Sequence, residues 1–157
     1  MSYELKALIA SRELLDVVAA EVPVARVAGL EQKLALIPMT DLLFDTVTEH
    51  GGAIQPGFTS FPGGFGRRMA AWSKAGPIGY VEADFCGGEG TQHAAVWFDA
   101  QVVLGPLSSV TGQPFAAEGS PISQALRRVG AQHSHGQDEF EAVGLDRHRR
   151  LVDWCSG

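Results

Sequence analysis

The chain has no asparagine, only two cysteines and only three lysines against nine arginines. The arginine bias, with abundant alanine, follows GC-rich coding and carries no chemistry. Cys86 and Cys155 stand 69 positions apart. That spacing matches no metal motif and no redox pair, so two free thiols are expected. No apolar run approaches the roughly 18 residues of a membrane span; the longest are Leu34–Met39 and Ala94–Phe98. The opening Met1-Ser2-Tyr3-Glu4 lacks the basic-then-apolar layout of a signal peptide, and a cytoplasmic location is expected. There is no G-x-x-x-x-G-K-S/T run, no G-x-S-x-G and no H-E-x-x-H. Gly88-Glu89-Gly90-Thr91-Gln92-His93 lacks the third glycine of a dinucleotide fingerprint. The common cofactor and hydrolase routes are thereby removed, and no cofactor or metal is expected.

What is present describes one globular domain over residues 1–157. Apolar residues make up 45% of the chain and charged residues 19%, which excludes wholesale disorder, collagen and coiled coil. A chain of this length buries roughly 70% of its unfolded surface. The net charge is −6, all of it within residues 1–126. Nucleic acid and anionic lipid repel such a chain, so neither is an expected partner. A basic protein partner or a small molecule suits it better.

Residues 3–10 fit either a strand or a first helical turn. Ser11 caps a helix carrying Leu14, Leu15, Val17 and Val18, stopped at Pro23. Residues 24–28 and 33–38 read as short strands around Gly29. Thr40 caps a helix over residues 41–49 that ends at His50-Gly51-Gly52. Residues 51–66, rich in Gly, Pro and Phe, form a long loop that either packs on the core through Phe58, Phe61 and Phe65 or acts as a lid. A short helix follows over 67–74. Residues 77–86 and 91–99 form a β-hairpin around Gly87-Gly88-Glu89-Gly90, and 101–104 adds a third strand ended by Gly105-Pro106. Ser120-Pro121 starts a helix running to about Val129. A polar loop over 131–137, a short helix over 138–143 and a tail from Arg147 complete the chain. The expected fold is α+β: an antiparallel sheet of about four to six strands with three to five helices mostly on one face.

Alternation sorts the hairpin. Gly79, Val81, Ala83 and Phe85 share one face with Ala94, Val96 and Phe98, which is the core face. Tyr80, Glu82, Asp84 and Cys86 share the other with Thr91, His93, Ala95 and Trp97. A four-residue turn places Asp84 opposite His93, Glu82 opposite Ala95 and Tyr80 opposite Trp97. This second face fits three roles. It is a solvated sheet face, an acidic recognition surface anchored by Tyr80 and Trp97 with Phe61 and Phe65 from the loop, or a site where Asp84 orients His93 as general base beside Glu82. A homodimer interface is a further use of the same face. His133-Ser134-His135 near Asp138 and Glu139 has metal-ligating residue types but no third ligand fixed by spacing. Glu49-His50 sits at a helix end. Arg147-His148-Arg149-Arg150 is too short a basic run for nucleic acid, and its arginines are expected to pair with the acids of residues 138–141 or with a subunit partner.

The segment Gly79–Gln92 followed by Ala94-Ala95-Val96-Trp97, together with Leu36–Asp41, Ile122–Leu126 and Asp138–Leu145, resembles small bacterial cytoplasmic proteins of undefined function, including immunity proteins of polymorphic toxin systems. The resemblance implies a cytoplasmic, non-enzymatic inhibitor that binds one toxin domain. Its mechanism would be occlusion, with Glu82 and Asp84, flanked by Tyr80 and Trp97, covering a basic active site such as a nuclease cleft.

Overall fold

The computed structural model describes residues 2–53, 55–87, 89–111, 114, 117–133 and 135–155. Among these, six strands form one antiparallel sheet: β1 (Ser2–Ser11), β2 (Ala28–Gly29), β3 (Leu34–Pro38), β4 (Ile78–Cys86), β5 (Glu89–Phe98) and β6 (Gln101–Ser109). Their order across the sheet is β2-β3-β1-β4-β5-β6. The ambiguous first segment is therefore a central strand, paired with β3 on one side and β4 on the other. It is buried continuously from Ala7 to Ala10 because both faces of the sheet are covered.

One cover comes from the first half of the chain. It consists of α1 (Arg12–Glu21), α2 (Asp41–Val47), α3 (Phe65–Trp72) and the loop between α2 and α3. They pack on Leu8, Ala10, Ala35, Ile37, Ile78, Tyr80, Ala95 and Trp97. Ser11 and Thr40 hold the helix starts as expected, accepting hydrogen bonds from the Leu14 and Leu43 amides. On α3, Phe65, Met69 and Trp72 recur at helical spacing and are all buried. The other cover comes from the last quarter: α4 (Pro121–Arg128), α5 (Glu139–Ala142) and two short 3-10 helices, Leu145–Arg147 and Leu151–Cys155. These pack on Leu5, Ala7, Ile9, Val81, Ala83, Ala94 and Val96. Gln92, buried on that face, accepts a hydrogen bond from the Ile122 amide and pins the start of α4. The α+β class and strand number match the expectation. The helices, however, divide between the two faces, so the hairpin has no open side along most of its length.

Three expectations about the hairpin and its neighbour change. The turn is shorter than expected: Cys86 pairs with Glu89, leaving two residues between the strands. Gly87 takes the left-handed conformation such a turn demands, with φ +62°, while Gly88 lies outside the described residues. The register consequently moves by two, which preserves which residues share a face but changes every partner. Glu82 stands opposite His93, Asp84 opposite Thr91, Tyr80 opposite Ala95 and Ile78 opposite Trp97. The third strand does not stop at Gly105-Pro106; β6 continues to Ser109, with irregular pairing around Ala94–Trp97. Proline is tolerated there because β6 is an edge strand with one side unpaired.

The loop of residues 51–64 is packed. Glu49 N donates to Gly63 O and Gly64 N donates to Ala53 O, both at 2.8 Å. The two ends cross so closely that a Cβ on Gly52 would lie 2.6 Å from Gly64 N, which explains the glycines at the crossing. Phe61 enters the core, stacked on Trp97 with ring centroids 5.9 Å apart and edge-on to Tyr80 at 5.3 Å. Trp97 is a core residue at 3% exposure. Replacing Trp97 with alanine should therefore cost about 3–5 kcal/mol of stability, read from the urea midpoint; a loss below about 1 kcal/mol would contradict the packing described.

Candidate functional site

Where the covering helices end, the sheet face carrying Tyr80 and Trp97 turns polar. The pairing lays its side chains out in two rows. Lys6, Glu82, His93 and Ser108 stand side by side on β1, β4, β5 and β6, and Glu4, Asp84 and Thr91 form the next row out. Residues Thr59 and Ser60 of the loop lie over the inner row. Between loop and sheet is a cavity of about 230 Å³, walled by both rows on β1, β4 and β5.

Glu82 is the buried member, at 3% exposure. One carboxylate oxygen accepts hydrogen bonds from Thr59 N at 2.8 Å and Thr59 Oγ1 at 3.1 Å. The other accepts from Ser60 N at 2.8 Å. The Tyr80 hydroxyl adds a fourth tie, donating to Ser60 O at 2.7 Å. Charge-assisted bonds of this kind offset the cost of removing a carboxylate from water. The loop is thus stapled to the sheet by a carboxylate and a phenol two residues apart on β4. Burial pushes the Tyr80 phenol well above its ordinary range, reinforced by the Glu82 charge. Burial does the same to Tyr3, helped by Asp146.

The acid–base arrangement expected from the sequence does not form. Asp84 faces Thr91 and lies a row away from His93. Glu82 faces His93, but both its oxygens are spent on the loop. His93 is half-buried, and its Nδ1 lies 2.8 Å from Ser108 Oγ. The aromatic anchors also lie elsewhere than expected. Tyr80, Trp97, Phe61 and Phe65 are at 0, 3, 7 and 1% exposure and belong to the core. The Gly/Phe loop and the aromatic face do meet, through Phe61 against Tyr80 and Trp97, and the contact is internal.

Two exposed acids remain. Glu4 and Asp84 stand directly opposite each other on neighbouring strands. Neither forms an ion pair with a described residue, and nor does Lys6 beside them. Like charges directly opposite on a sheet are unfavourable, and no ion pair with a described residue offsets that cost here. Glu4 and Lys6 were not among the expected site residues, because their strand could not be assigned; once β1 is paired, alternation alone places them.

The remaining candidates are scattered. His133 lies 3.9 Å from Glu139, which is buried and bonded to Arg127 at 2.9 Å; Ser134 is outside the described residues. Among the described residues no group of three or more His, Cys, Asp or Glu side chains is placed to hold a metal ion. His50 is exposed, and its neighbour Glu49 pairs with Arg67 at 3.4 Å. Arg147 and Arg150 do not pair with residues 138–141; they pair with Glu31 and Asp153, which the chain's turn brings closer. Ser156 and Gly157 of the tail lie outside the described residues. No helix among the described residues is long and apolar enough to cross a membrane. Comparison with protein-family models, curated proteins and solved structures finds no match to this chain.

Two outcomes follow from the staple. Glu82→Gln removes a charged acceptor and should lower stability by about 1.5–3 kcal/mol, with hydrogen-exchange protection lost first at the Thr59 and Ser60 amides; unchanged protection there would contradict it. Both tyrosines have raised phenol pKa values, so the unfolded chain releases protons near pH 10 while the folded chain does not. Stability should be intact below about pH 10 and fall as pH rises past it. Ultraviolet titration should show phenolate appearing only with unfolding; ionisation of either tyrosine in the folded protein near pH 10 would refute this.

Proposed function

We propose that this chain is a protein-binding module that docks a basic partner on the acidic end of its sheet. The observation that carries the reading is the Glu4–Asp84 pair, without an ion-pair partner among the described residues and exposed at the end of a sheet on a chain of net charge −6. A positive side chain from a partner would relieve the repulsion between these acids and find hydroxyls of Thr59 and Thr91 in the adjoining cavity. The sharpest form is a bacterial, cytoplasmic, immunity-type inhibitor that occludes the basic active site of one toxin domain. Affinity in that case comes from charge complementarity, which accelerates encounter. The core aromatics contribute by holding the loop in place beside the patch.

A binding patch kept at a cost to stability has a double signature. The Glu4→Gln, Asp84→Asn double variant should be as stable as the parent or up to about 1 kcal/mol more stable. Its affinity for the partner should fall by about one to two decades, chiefly through a slower association rate. The measurement is capture of partners by the tagged chain from the cells that make it, compared between parent and double variant and at low and high salt. A stoichiometric basic partner lost with the variant and with salt is the expected result. A partner held equally by both forms, or no partner at all, would remove this reading.

A further inference from the structure

A second polar cleft shares no lining residue with the acidic end, although Arg149 O in the segment that walls it accepts a hydrogen bond from Glu4 N at 2.8 Å. One wall is residues 25–29, which include the sheet-edge strand β2; the other is formed by Arg147, His148 and residues 153–155. Its volume is about 580 Å³, within the roughly 300–1,000 Å³ of small-molecule sites.

Among the described residues the charged side chains that line the cleft are two arginines and one aspartate. Arg26 is exposed and makes no ion pair or hydrogen bond with a described residue. The Arg147 guanidinium sits 5.9 Å over the Trp154 ring, donates to Gly29 O at 3.2 Å and approaches Glu31 only to 3.6 Å. The His148 ring meets Trp154 edge-on, with centroids 4.7 Å apart. Trp154 itself is at 5% exposure, and its indole N–H is buried and donates to no described group. An orphan donor of that kind costs free energy and asks for an explanation. Among the described residues the one carboxylate lining the cleft, Asp153, is engaged by Arg150, with both oxygens 3.4 Å from guanidinium nitrogens. On a chain of net charge −6, Arg26 and Arg147 line one cavity together, and Arg26 is left without a counter-charge among the described residues.

We propose that this cleft binds a small molecule through a carboxylate or phosphate group. Arginine guanidinium matches both oxyanions with paired donors, and Arg26 has no competing partner. The cavity is larger than a bare oxyanion needs, so the group is carried on an organic body.

The test titrates the full chain with sodium phosphate and separately with sodium citrate, against sodium chloride at matched ionic strength. Thermal midpoint and tryptophan fluorescence are read together. A saturable change with phosphate or citrate and none with chloride is expected; which of the two acts assigns phosphate ester or carboxylate as the ligand group. Arg26→Gln, at an exposed position without structural partners, should weaken the response about tenfold, as loss of a charge-assisted hydrogen bond does. Trp154→Phe should abolish the fluorescence change and keep the thermal one. A response equal to that of chloride, or one that Arg26→Gln leaves intact, would overturn the proposal.

Discussion

A carboxylate that enters a protein interior must bring hydrogen-bond donors with it. Glu82 meets that condition with three donors from Thr59 and Ser60, all on a loop without regular structure. The position of the loop follows from this exchange, and much else follows from the loop. Once Thr59 and Ser60 are fixed, Phe61 falls between Tyr80 and Trp97, and the sheet face is sealed without a helix at that point. The seal stops at the row of Glu82 and His93. Beyond it Glu4 and Asp84 are exposed and form no ion pair with a described residue, and the polar end acquires its chemical character from what the loop leaves uncovered.

The sequence shows the local rules clearly and the tertiary ones poorly. Helix starts at Ser11, Thr40 and Ser120-Pro121 are legible because capping is a property of a few adjacent residues. The sharing of faces in the hairpin is legible because alternation has a period of two. Its register is not, since a shift by two satisfies the same alternation. The expected Asp84–His93 pair was lost to that degeneracy. β1 is hard to read for the opposite reason: buried on both faces, it has no alternation in its middle to distinguish it from a helix. Its polar end, carrying Glu4 and Lys6, therefore escaped notice. Tyr80 and Trp97 looked like surface anchors because they share a face with two acids, and only the three-dimensional path of the loop reveals that the boundary between core and surface crosses β4 between Glu82 and Asp84.

Two groups of exposed charge have no ion-pair partner among the described residues: Glu4 and Asp84 at the end of β1 and β4, and Arg26 beside β2. Elsewhere the ion pairs are mostly exposed and weakly held, such as Arg12 with Asp16 at 3.7 Å, and contribute little to stability. The apolar covers carry the fold, which leaves these exposed charges available for recognition.

The two covers also differ in when they exist. Among the described residues every strand and the whole of the first cover lie before residue 110, whereas the second cover lies in the segment from α4 to Cys155. A ribosome adding about 5–20 residues per second exposes the complete sheet several seconds before the helices that close its second face. During that interval Leu5, Ile9, Val81 and Val96 present an apolar surface to whatever is near. The order of elements along the chain thus makes the newborn protein a half-built sandwich, stickier than the finished one, for a period set by translation rather than by folding.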